Sequence, residues 1–441
     1  MKIDNKSEIK PTLAILWSAL RAHLPQDRLL AKAISISVLN QMISSATNFA
    51  LGLYLVRMLQ PAEFGLYSIS FAICLFYSGI GNALFLTQMV VHTPDKMLED
   101  RMAYAMRMLI LVAIFCVSTV LISALIVLVG RELWSPIAEH TSLGIAIAAA
   151  SAAYLLKDFF IRHAYNKQKE SWALTINSVV ALMLVVMLWT QNYYKFQFSV
   201  EIALWIYALA NASAAVYGYI LAGLRFYGIT KSALVFDARE AWRGGRWASI
   251  TNFVYFIRIH AHTIIVTTVV GPLGVANLSA ARLLVTPAVM LTPALGQVAM
   301  PRLASMRLYG SRKIINASLS VGIGLLMVAI LYSVILLLAY DWIVSVVLGD
   351  KYTDLFTITM MWCLYTCLLA LRNGAEIAMQ VLNKFKKLSA ASFFSAFVSL
   401  IATYWLVMFH GTTGALIGIS MGELAMITLI YLNLKRVRTS I

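Results

Sequence analysis

Long runs of apolar residues alternate with short polar segments along the whole chain. Each run holds about 20 residues, the length an α-helix needs to cross the hydrocarbon core of a membrane, which is about 30 Å thick. The runs predict twelve spans, at residues 33–56, 66–91, 108–129, 143–161, 173–190, 202–224, 248–270, 275–299, 316–339, 356–380, 389–409 and 413–434. The pattern therefore predicts an all-α membrane protein with twelve transmembrane helices.

The composition agrees with this prediction and excludes several kinds of protein. Hydrophobic residues make up 61% of the 441 positions, charged residues make up 12%, and the mean hydropathy is +0.80. Soluble domains carry about 25% charged residues. The polar segments lack a phosphate-binding GxxxxGK[ST] motif, so no soluble nucleotide-binding domain is expected. The four cysteines lie in apolar runs without neighbouring histidines, so we expect neither disulfides nor a metal site.

The charges between the spans predict the orientation. Cytoplasmic loops of membrane proteins are enriched in lysine and arginine. If both termini lie in the cytoplasm, only four of the 35 lysines and arginines lie on the opposite side: Arg57, Arg131, Lys195 and Lys351. Three lie inside spans, and all the others lie on the cytoplasmic side. The net charge of +16 then reflects this bias, and no nucleic-acid partner is expected. Lys157 and Asp158 are expected at the solvated cytoplasmic end of the fourth span.

The longest basic connection divides the spans into six and six. We predict a cytoplasmic amphipathic N-terminal segment at 1–31, an N-lobe at 32–224, a cytoplasmic connecting segment at 225–247, a C-lobe at 248–435 and a cytoplasmic tail at 436–441. The first hairpin of each half carries a proline and a glycine in its outer turn. Such duplication is typical of transporters with two lobes related by an axis along the membrane normal. We therefore expect two six-helix lobes around a central cavity.

Two spans carry polar residues at the spacing of one helical face. The stripe in the first span comprises Ser37, Asn40, Gln41, Ser44, Ser45 and Asn48, and the stripe in the seventh comprises Thr251, Tyr255, Arg258 and His262. Polar residues of this kind also join helices without any cavity. Because the two stripes lie on corresponding helices and one holds an arginine, we interpret them as walls of an aqueous cavity.

Three arginines lie inside spans: Arg258, Arg282 and Arg372. Arginine at the centre of a lipid-facing helix costs about 2.5–3.5 kcal/mol, so such residues usually face a wet interior. The planar guanidinium suits phosphate oxygens better than an ammonium does. We predict a site for an anionic substrate with these contacts: Arg258, Arg282, Arg372, Tyr255, Thr251, Asn48, Asn40 and Gln41.

Acidic residues inside spans suggest coupling to an ion. Glu376 follows Arg372 at i+4, and the two form either a structural ion pair or a switch in which Glu376 also binds H⁺ or Na⁺. Further candidates for ion coupling are His262 and Glu423, and no partner for Glu423 is apparent from the sequence. His260 points away from Arg258 on the helix and is interpreted as structural. No other cofactor is expected.

Two segments resemble a known family. They are the turn Pro61-Ala-Glu-Phe-Gly65-Leu-Tyr67 and the run Val270-Gly-Pro-Leu-Gly-Val-Ala-Asn-Leu-Ser-Ala-Ala-Arg282, which is followed by Pro287, Pro293 and Pro301. They resemble the polysaccharide-transporter branch of the multidrug/oligosaccharidyl-lipid/polysaccharide exporter superfamily, whose members are O-antigen and exopolysaccharide repeat-unit flippases. The seventh helix of that family often carries an acidic residue near the position of His262. This chain departs from the family pattern there, since it has a histidine.

The resemblance implies a multi-pass protein of the bacterial inner membrane that moves undecaprenyl-diphosphate-linked oligosaccharides between leaflets by alternating access. We expect a monomeric transport unit that contacts a polysaccharide polymerase and a chain-length regulator. One alternative is an ion-coupled multidrug or small-molecule exporter of the same superfamily. Another is a membrane enzyme such as a polysaccharide polymerase or glycosyltransferase.

Overall fold

The structure, a computed structural model, describes residues 28–97, 99–133, 141–194, 198–226, 229–305, 310–349, 351–352 and 355–439. The predicted N-terminal segment therefore lies almost wholly outside the described residues. Ten long helices are α1 (Arg28–Met58), α2 (Pro61–Gly81), α3 (Asp100–Leu133), α4 (Thr141–Asn166), α5 (Glu170–Tyr193), α6 (Val200–Ala222), α7 (Lys231–Val269), α8 (Pro272–Ser305), α9 (Ser311–Leu338) and α10 (Phe356–Val381). Helix α2 continues through a π-helical turn, Asn82–Leu86, into a last segment, Thr87–His92.

The last two predicted spans form one helical stretch, Phe385–Thr439, with a break at Gly411. The backbone of Gly411 has φ 54° and ψ −132°, outside the helical region. Glycine adopts positive φ without the steric penalty that a Cβ imposes, so the chain turns at this residue. We call the two parts α11 (385–410) and α12 (412–439). The described residues thus contain a helix at each of the twelve predicted spans.

Three helices of the described part of the chain lack an apolar stretch typical of a membrane span. Among the described residues, eight helical stretches are long and apolar enough to cross a membrane, and one of them, Phe385–Val437, covers both α11 and α12. Helices α1, α7 and α10 fall outside these stretches. They carry the two polar stripes and the pair Arg372 and Glu376. As described below, polar side chains of α1 and α7 line a cavity, and the charged pair of α10 forms contacts inside the C-lobe.

The helices form two six-helix lobes with matching packing. In the N-lobe, α4 packs on α2, α3 and α6, while α5 packs on α1 and α6. In the C-lobe, α10 packs on α8, α9 and the stretch that forms α11 and α12, which also packs on α7. Each of these helix pairs in the C-lobe corresponds to a pair in the N-lobe whose helix numbers are lower by six. The contact of α10 with α8, for example, corresponds to that of α4 with α2. The lobes meet through α2 with α8, α2 with α7, and α1 with α8.

The basic connection between the lobes is mostly helical. Helix α7 begins at Lys231 and runs unbroken to Val269, 39 residues in all. The Oγ1 atom of Thr230 accepts a hydrogen bond from the backbone N–H of Ala233 at 3.2 Å, which caps the first turn. The hydropathy pattern placed the start of the seventh span at 248 because the preceding residues are basic. Residues 231–247 instead extend α7 beyond the predicted span.

The two ends of the bundle each hold contacts between the lobes. We call the end with the loops at 93–99, 167–169, 223–230 and 382–384 the basic face, and the other end the opposite face. On the opposite face, Arg57 Nε donates to the carbonyl oxygen of Val347 at 3.0 Å. Val347 ends a short helix, Tyr340–Val347, within the connection between α9 and α10. On the basic face, Arg107 Nε lies 2.5 Å from Asp237 Oδ2.

Candidate substrate-binding cavity

A cavity of about 560 Å³ lies between α1 and α2 of the N-lobe and α7 and α8 of the C-lobe. Its polar lining includes Asn48, Ser68, Asn252, Tyr255, His260, Thr263, Ser279, Arg282 and Thr286. A neighbouring cavity of about 400 Å³ shares Asn252 and Tyr255 with it and extends toward the basic face between α2 and α7. Among the described residues that line the larger cavity, Arg282 alone carries a permanent charge.

Arg282 is solvent-exposed although it lies in the middle of the protein, because its side chain enters the cavity. Its guanidinium carbon lies 5.6 Å from the centre of the Trp362 ring, within cation–π range. Trp362 is itself held in place, since its indole Nε1 donates to the carbonyl oxygen of Leu278 at 3.0 Å. Helix α10 therefore supports the arginine of α8 with an oriented aromatic ring.

Arg258 lies behind Tyr255 rather than in the wall of the larger cavity. Its guanidinium carbon is 5.6 Å from the centre of the Tyr255 ring, and Tyr255 lines the cavity. Its Nε and Nη1 atoms are buried and make no hydrogen bond to the described residues. Buried donors without a partner are costly, and a charged group more so. These two unsatisfied donors of Arg258 therefore lie close to the cavity lining, with Tyr255 between them and the cavity.

Arg372 is paired with two carboxylates. Its Nη1 donates to Glu376 Oε2 one turn away, and its Nε lies 2.6 Å from Glu423 Oε2 of α12. The second contact is an ion pair without hydrogen-bond alignment, since both atoms lack a hydrogen-bond partner by geometry. Arg372 and Glu423 are 8% and 5% exposed. Glu423, for which the sequence shows no partner, thus has one in Arg372, and the cluster joins α10 to α12.

The charges in the interior of the C-lobe do not cancel. Three arginines, at 258, 282 and 372, face two glutamates, at 376 and 423, which leaves a formal charge of +1. Tyr365 of α10 lies within electrostatic range of all three arginines. Because Arg372 takes up both carboxylates, the excess positive charge lies on Arg258 and Arg282. This excess charge lies beside Tyr255, which lines the cavity, and against Trp362, which is buried.

The stripe of α1 divides between two environments. Asn48 lines the cavity, whereas Asn40 is 6% exposed and lies inside the N-lobe. Asn40 donates to the hydroxyl of Tyr165 at 3.0 Å and accepts from Asn177 at 2.8 Å. It therefore joins α1 to α4 and α5. Gln41 is exposed and donates to Ser45 one turn away, outside the cavity lining.

The remaining candidates of α7 also differ from the pattern expected of one face. The Thr251 side chain lies outside the described residues. His262 is 5% exposed and packs edge-on against Trp362, with ring centroids 6.0 Å apart, so it does not line the cavity. His260, interpreted from the sequence as structural, does line it and stacks on Phe256 at 4.7 Å. His260 lines the cavity because it shares the cavity face of α7 with Asn252, Phe256 and Thr263.

The sequence did not predict that two charged residues of α4 lie inside the N-lobe. Lys157 and Asp158 were expected at a solvated helix end, but α4 continues to Asn166, nine residues beyond Lys157. Lys157 is 4% exposed, and Asp158 Oδ2 accepts a hydrogen bond from Asn82 of the π-helical turn at 3.0 Å. The apolar run underestimates the length of α4, which is why both residues were placed at its end.

No group of three or more metal-binding side chains lies together among the described residues. The four cysteines, all in the described part of the chain, form no disulfide there: Cys74, Cys116, Cys363 and Cys367.

Solved structures share the fold, while neither a family model nor a curated protein matches the sequence. An inward-facing multidrug-resistance MATE family transporter of the MOP superfamily aligns over 92% of this chain and 98% of its own, with TM-score 0.72 and 14% identity. An outward-facing conformation of such a transporter aligns over 92% and 96%, with TM-score 0.62 and 16% identity. The lipid II flippase MurJ, in an inward closed conformation, aligns over 91% and 87%, with TM-score 0.70 and 12% identity.

These similarities show that the chain has the same fold as these transporters of known structure. The twelve helices in two lobes around a central cavity match it over nearly the full chain.

Proposed function

We propose that the protein is a flippase that moves an undecaprenyl-diphosphate-linked oligosaccharide from the cytoplasmic to the outer leaflet for surface polysaccharide biosynthesis. The observation that carries this proposal is the uncompensated charge of Arg282 and Arg258 beside the central cavity. A lipid-linked diphosphate brings negative oxygens that match the guanidinium fork. Its sugar head needs the polar cavity, and its lipid tail can remain in the membrane outside.

Alternating access supplies the transport cycle of this proposal. The cavity extends toward the basic face through Asn252 and Tyr255, while the opposite face is held by contacts between hairpins of the two lobes. Rocking the lobes about the cavity would exchange the open side. The substrate would enter from the basic face, which we place in the cytoplasm.

An ion gradient would drive the cycle through the cluster of Arg372, Glu376 and Glu423. The two carboxylates share one arginine, so the cluster carries one negative charge more than positive. In a membrane interior such a cluster favours uptake of H⁺ or Na⁺. Glu376 is the more accessible carboxylate, with its side chain 23% exposed against 6% for Glu423. His262 is a weaker candidate since it lies against Trp362.

Coupling is tested with Glu376→Gln in reconstituted vesicles, where transport is measured with and without an H⁺ or Na⁺ gradient. The expected result is transport that no longer responds to the gradient. Transport that keeps its full dependence would remove Glu376 from the coupling step. Arg225→Ala, at an exposed position after α6, is the control.

An ion-coupled multidrug or small-molecule exporter is the second candidate. It is favoured by the MATE transporters that share the fold and by the carboxylates at 376 and 423. A cationic drug, however, would meet Arg282 as the charged group of the cavity. A membrane polymerase or glycosyltransferase has less support, because the solved structures with this fold are described as transporters and a flippase.

The proposal includes a location and partners. The protein would span the bacterial inner membrane many times with both termini in the cytoplasm, and it would act as a monomeric unit. A polysaccharide polymerase and a chain-length regulator would receive the product on the outer side. The positive charge of the basic face supports this orientation.

The function is tested by complementation of a flippase-deficient strain, with surface polymer as the readout. Arg282→Ala and Arg258→Ala should abolish polymer while protein levels stay near normal. Arg282→Lys keeps the charge but loses bidentate geometry, so it should restore only part of the activity. Arg225→Ala should behave as wild type. Full polymer in both alanine variants at normal protein levels would contradict an anionic substrate at this site.

A further inference from the structure

A lysine lies buried in the middle of the N-lobe without a hydrogen-bonding or ion-pairing partner among the described residues. Lys157 is 4% exposed and lies nine residues, about 14 Å, from the basic end of α4. Its Nζ lies 4.2 Å from the centre of the Tyr154 ring. Asp158 is near enough to influence it electrostatically, but its Oδ2 atom accepts from Asn82. A buried cation at membrane depth is costly and usually marks a functional site.

The surroundings of Lys157 are polar and adjoin the central cavity. It lines a small cavity together with Ser44, Thr47, Asn48, Tyr154, Asn177, Val180, Tyr207 and Asn211. Asn48 lines this small cavity and also the large one that Arg282 enters. The small cavity has room for about one water molecule, so it does not admit a phosphate as it stands. The Lys157 ammonium could therefore contact a phosphate only in the large cavity, on the other side of Asn48.

We propose that Lys157 swings past Asn48 into the central cavity and binds the second phosphate of a diphosphate held by Arg282. The lysine side chain is a flexible four-carbon stem with a terminal point charge, suited to such a movement. Its place against Tyr154 is then a resting position without hydrogen bonds. This inference rests on the proposed function and adds a contact from the opposite lobe.

A contact from each lobe would join substrate binding to movement of the lobes. Arg282 belongs to α8 of the C-lobe and Lys157 to α4 of the N-lobe. A diphosphate has two charged groups and can bridge both cations, whereas a monophosphate satisfies one arginine. The bridged substrate would favour the state in which the lobes close on it, since a ligand shifts an equilibrium by its differential affinity. Discrimination between diphosphate and monophosphate is therefore the signature of this arrangement.

The test measures binding of farnesyl diphosphate and farnesyl monophosphate to the purified full-length protein in detergent. Wild type should prefer the diphosphate by about tenfold or more, the range expected for one charge-assisted hydrogen bond. Lys157→Gln should lower that preference to about one while monophosphate binding stays unchanged, which also reports an intact fold. Lys157→Arg should keep most of the preference.

The matched control is Lys169→Gln. Lys169 Nζ also lies 4.2 Å from an aromatic ring, that of Trp172, but the residue is exposed. Its substitution should leave the preference as in wild type. If Lys157→Gln keeps the wild-type preference, or loses both ligands equally, Lys157 is not a phosphate ligand and the inference is overturned while the proposed function stands. If wild type binds neither compound, both the anionic-substrate proposal and the inference about Lys157 fail.

Discussion

Gly65 of α2 lies directly against the carbonyl oxygen of Pro272 at the start of α8, so that a Cβ on Gly65 would overlap this oxygen. The two residues belong to the outer turns of the first hairpin in each lobe. The same turns contain the two segments on which the expected family resemblance was based. Their glycine and proline therefore have a physical role at the opposite face, where they allow the backbones of the two lobes to meet.

Gly65→Ala is expected to weaken this contact between the lobes. Overpacking against a backbone atom costs about 1–3 kcal/mol, since the helices must separate. The apparent melting temperature of the purified protein should fall. Gly324→Ala is the control, because Gly324 in α9 has no atom within 4 Å of the added Cβ. Alanine is a better helix former than glycine by about 1 kcal/mol, so Gly324→Ala should be neutral or stabilising. Equal stability of the two variants would contradict the close packing at Gly65.

The cluster around Arg372 predicts a strongly non-additive effect on stability. Glu376→Gln or Glu423→Gln alone leaves Arg372 one carboxylate, whereas both together leave a buried arginine without compensation. Removing the partner of a buried charge costs about 3–5 kcal/mol, so the double variant should melt far lower than either single variant. Adding Arg372→Met to the double variant should restore much of the loss. A double variant as stable as wild type would show that the cluster is not an ion-pair network.

The sequence predicts the helices well because bilayer thickness fixes the length of an apolar run. It predicts the contents of the site less well. Arg372 and Glu423 lie 51 positions apart, and only the packing of α10 on α12 brings them together. Lys157 was misplaced because hydropathy marks the apolar part of α4 and not its helical end. Trp362 gives no signal in the sequence, since its role depends on the direction of Arg282.

The stripe of α1 shows a further limit of sequence analysis. Asn40 and Asn48 lie on one helical face, yet one faces α4 and α5 while the other faces the cavity. Helix periodicity shows which side chains share a face of α1. It does not show which helix or cavity that face contacts at each position along α1. The change of neighbour along α1 follows from its packing against α5 and its contact with α8.

These two asparagines should therefore respond differently to substitution. Asn40→Ala removes two buried hydrogen bonds and should lower stability by about 1–2 kcal/mol without changing substrate affinity. Asn48→Ala should leave the melting temperature nearly unchanged and reduce transport. Melting curves and transport assays on the same preparations separate the two effects. A loss of transport in Asn40→Ala at unchanged stability would place Asn40 in the substrate path instead.

The basic extension of α7 forms a buried ion pair with the N-lobe, whereas the rest of α7 packs on both lobes. Asp237 is 3% exposed, and its Oδ2 lies 2.5 Å from Arg107 Nε of α3. Lobes that rock must then bend α7 between this anchor and Arg258. Asp237→Ala should release residues 231–247, which hydrogen exchange would detect as faster exchange of their amides, with residues 255–269 unchanged.

The control for this prediction lies one turn further along the same helix. Glu240 pairs with Lys96 at 3.1 Å, but the two side chains are 30% and 21% exposed. An ion pair in contact with water contributes less than a buried one, so Glu240→Ala should raise the exchange less than Asp237→Ala does. The charge swap Arg107→Asp with Asp237→Arg should restore part of the protection lost in Asp237→Ala. If Glu240→Ala and Asp237→Ala raised exchange equally, burial of the Arg107–Asp237 pair would not be what holds α7 on the N-lobe.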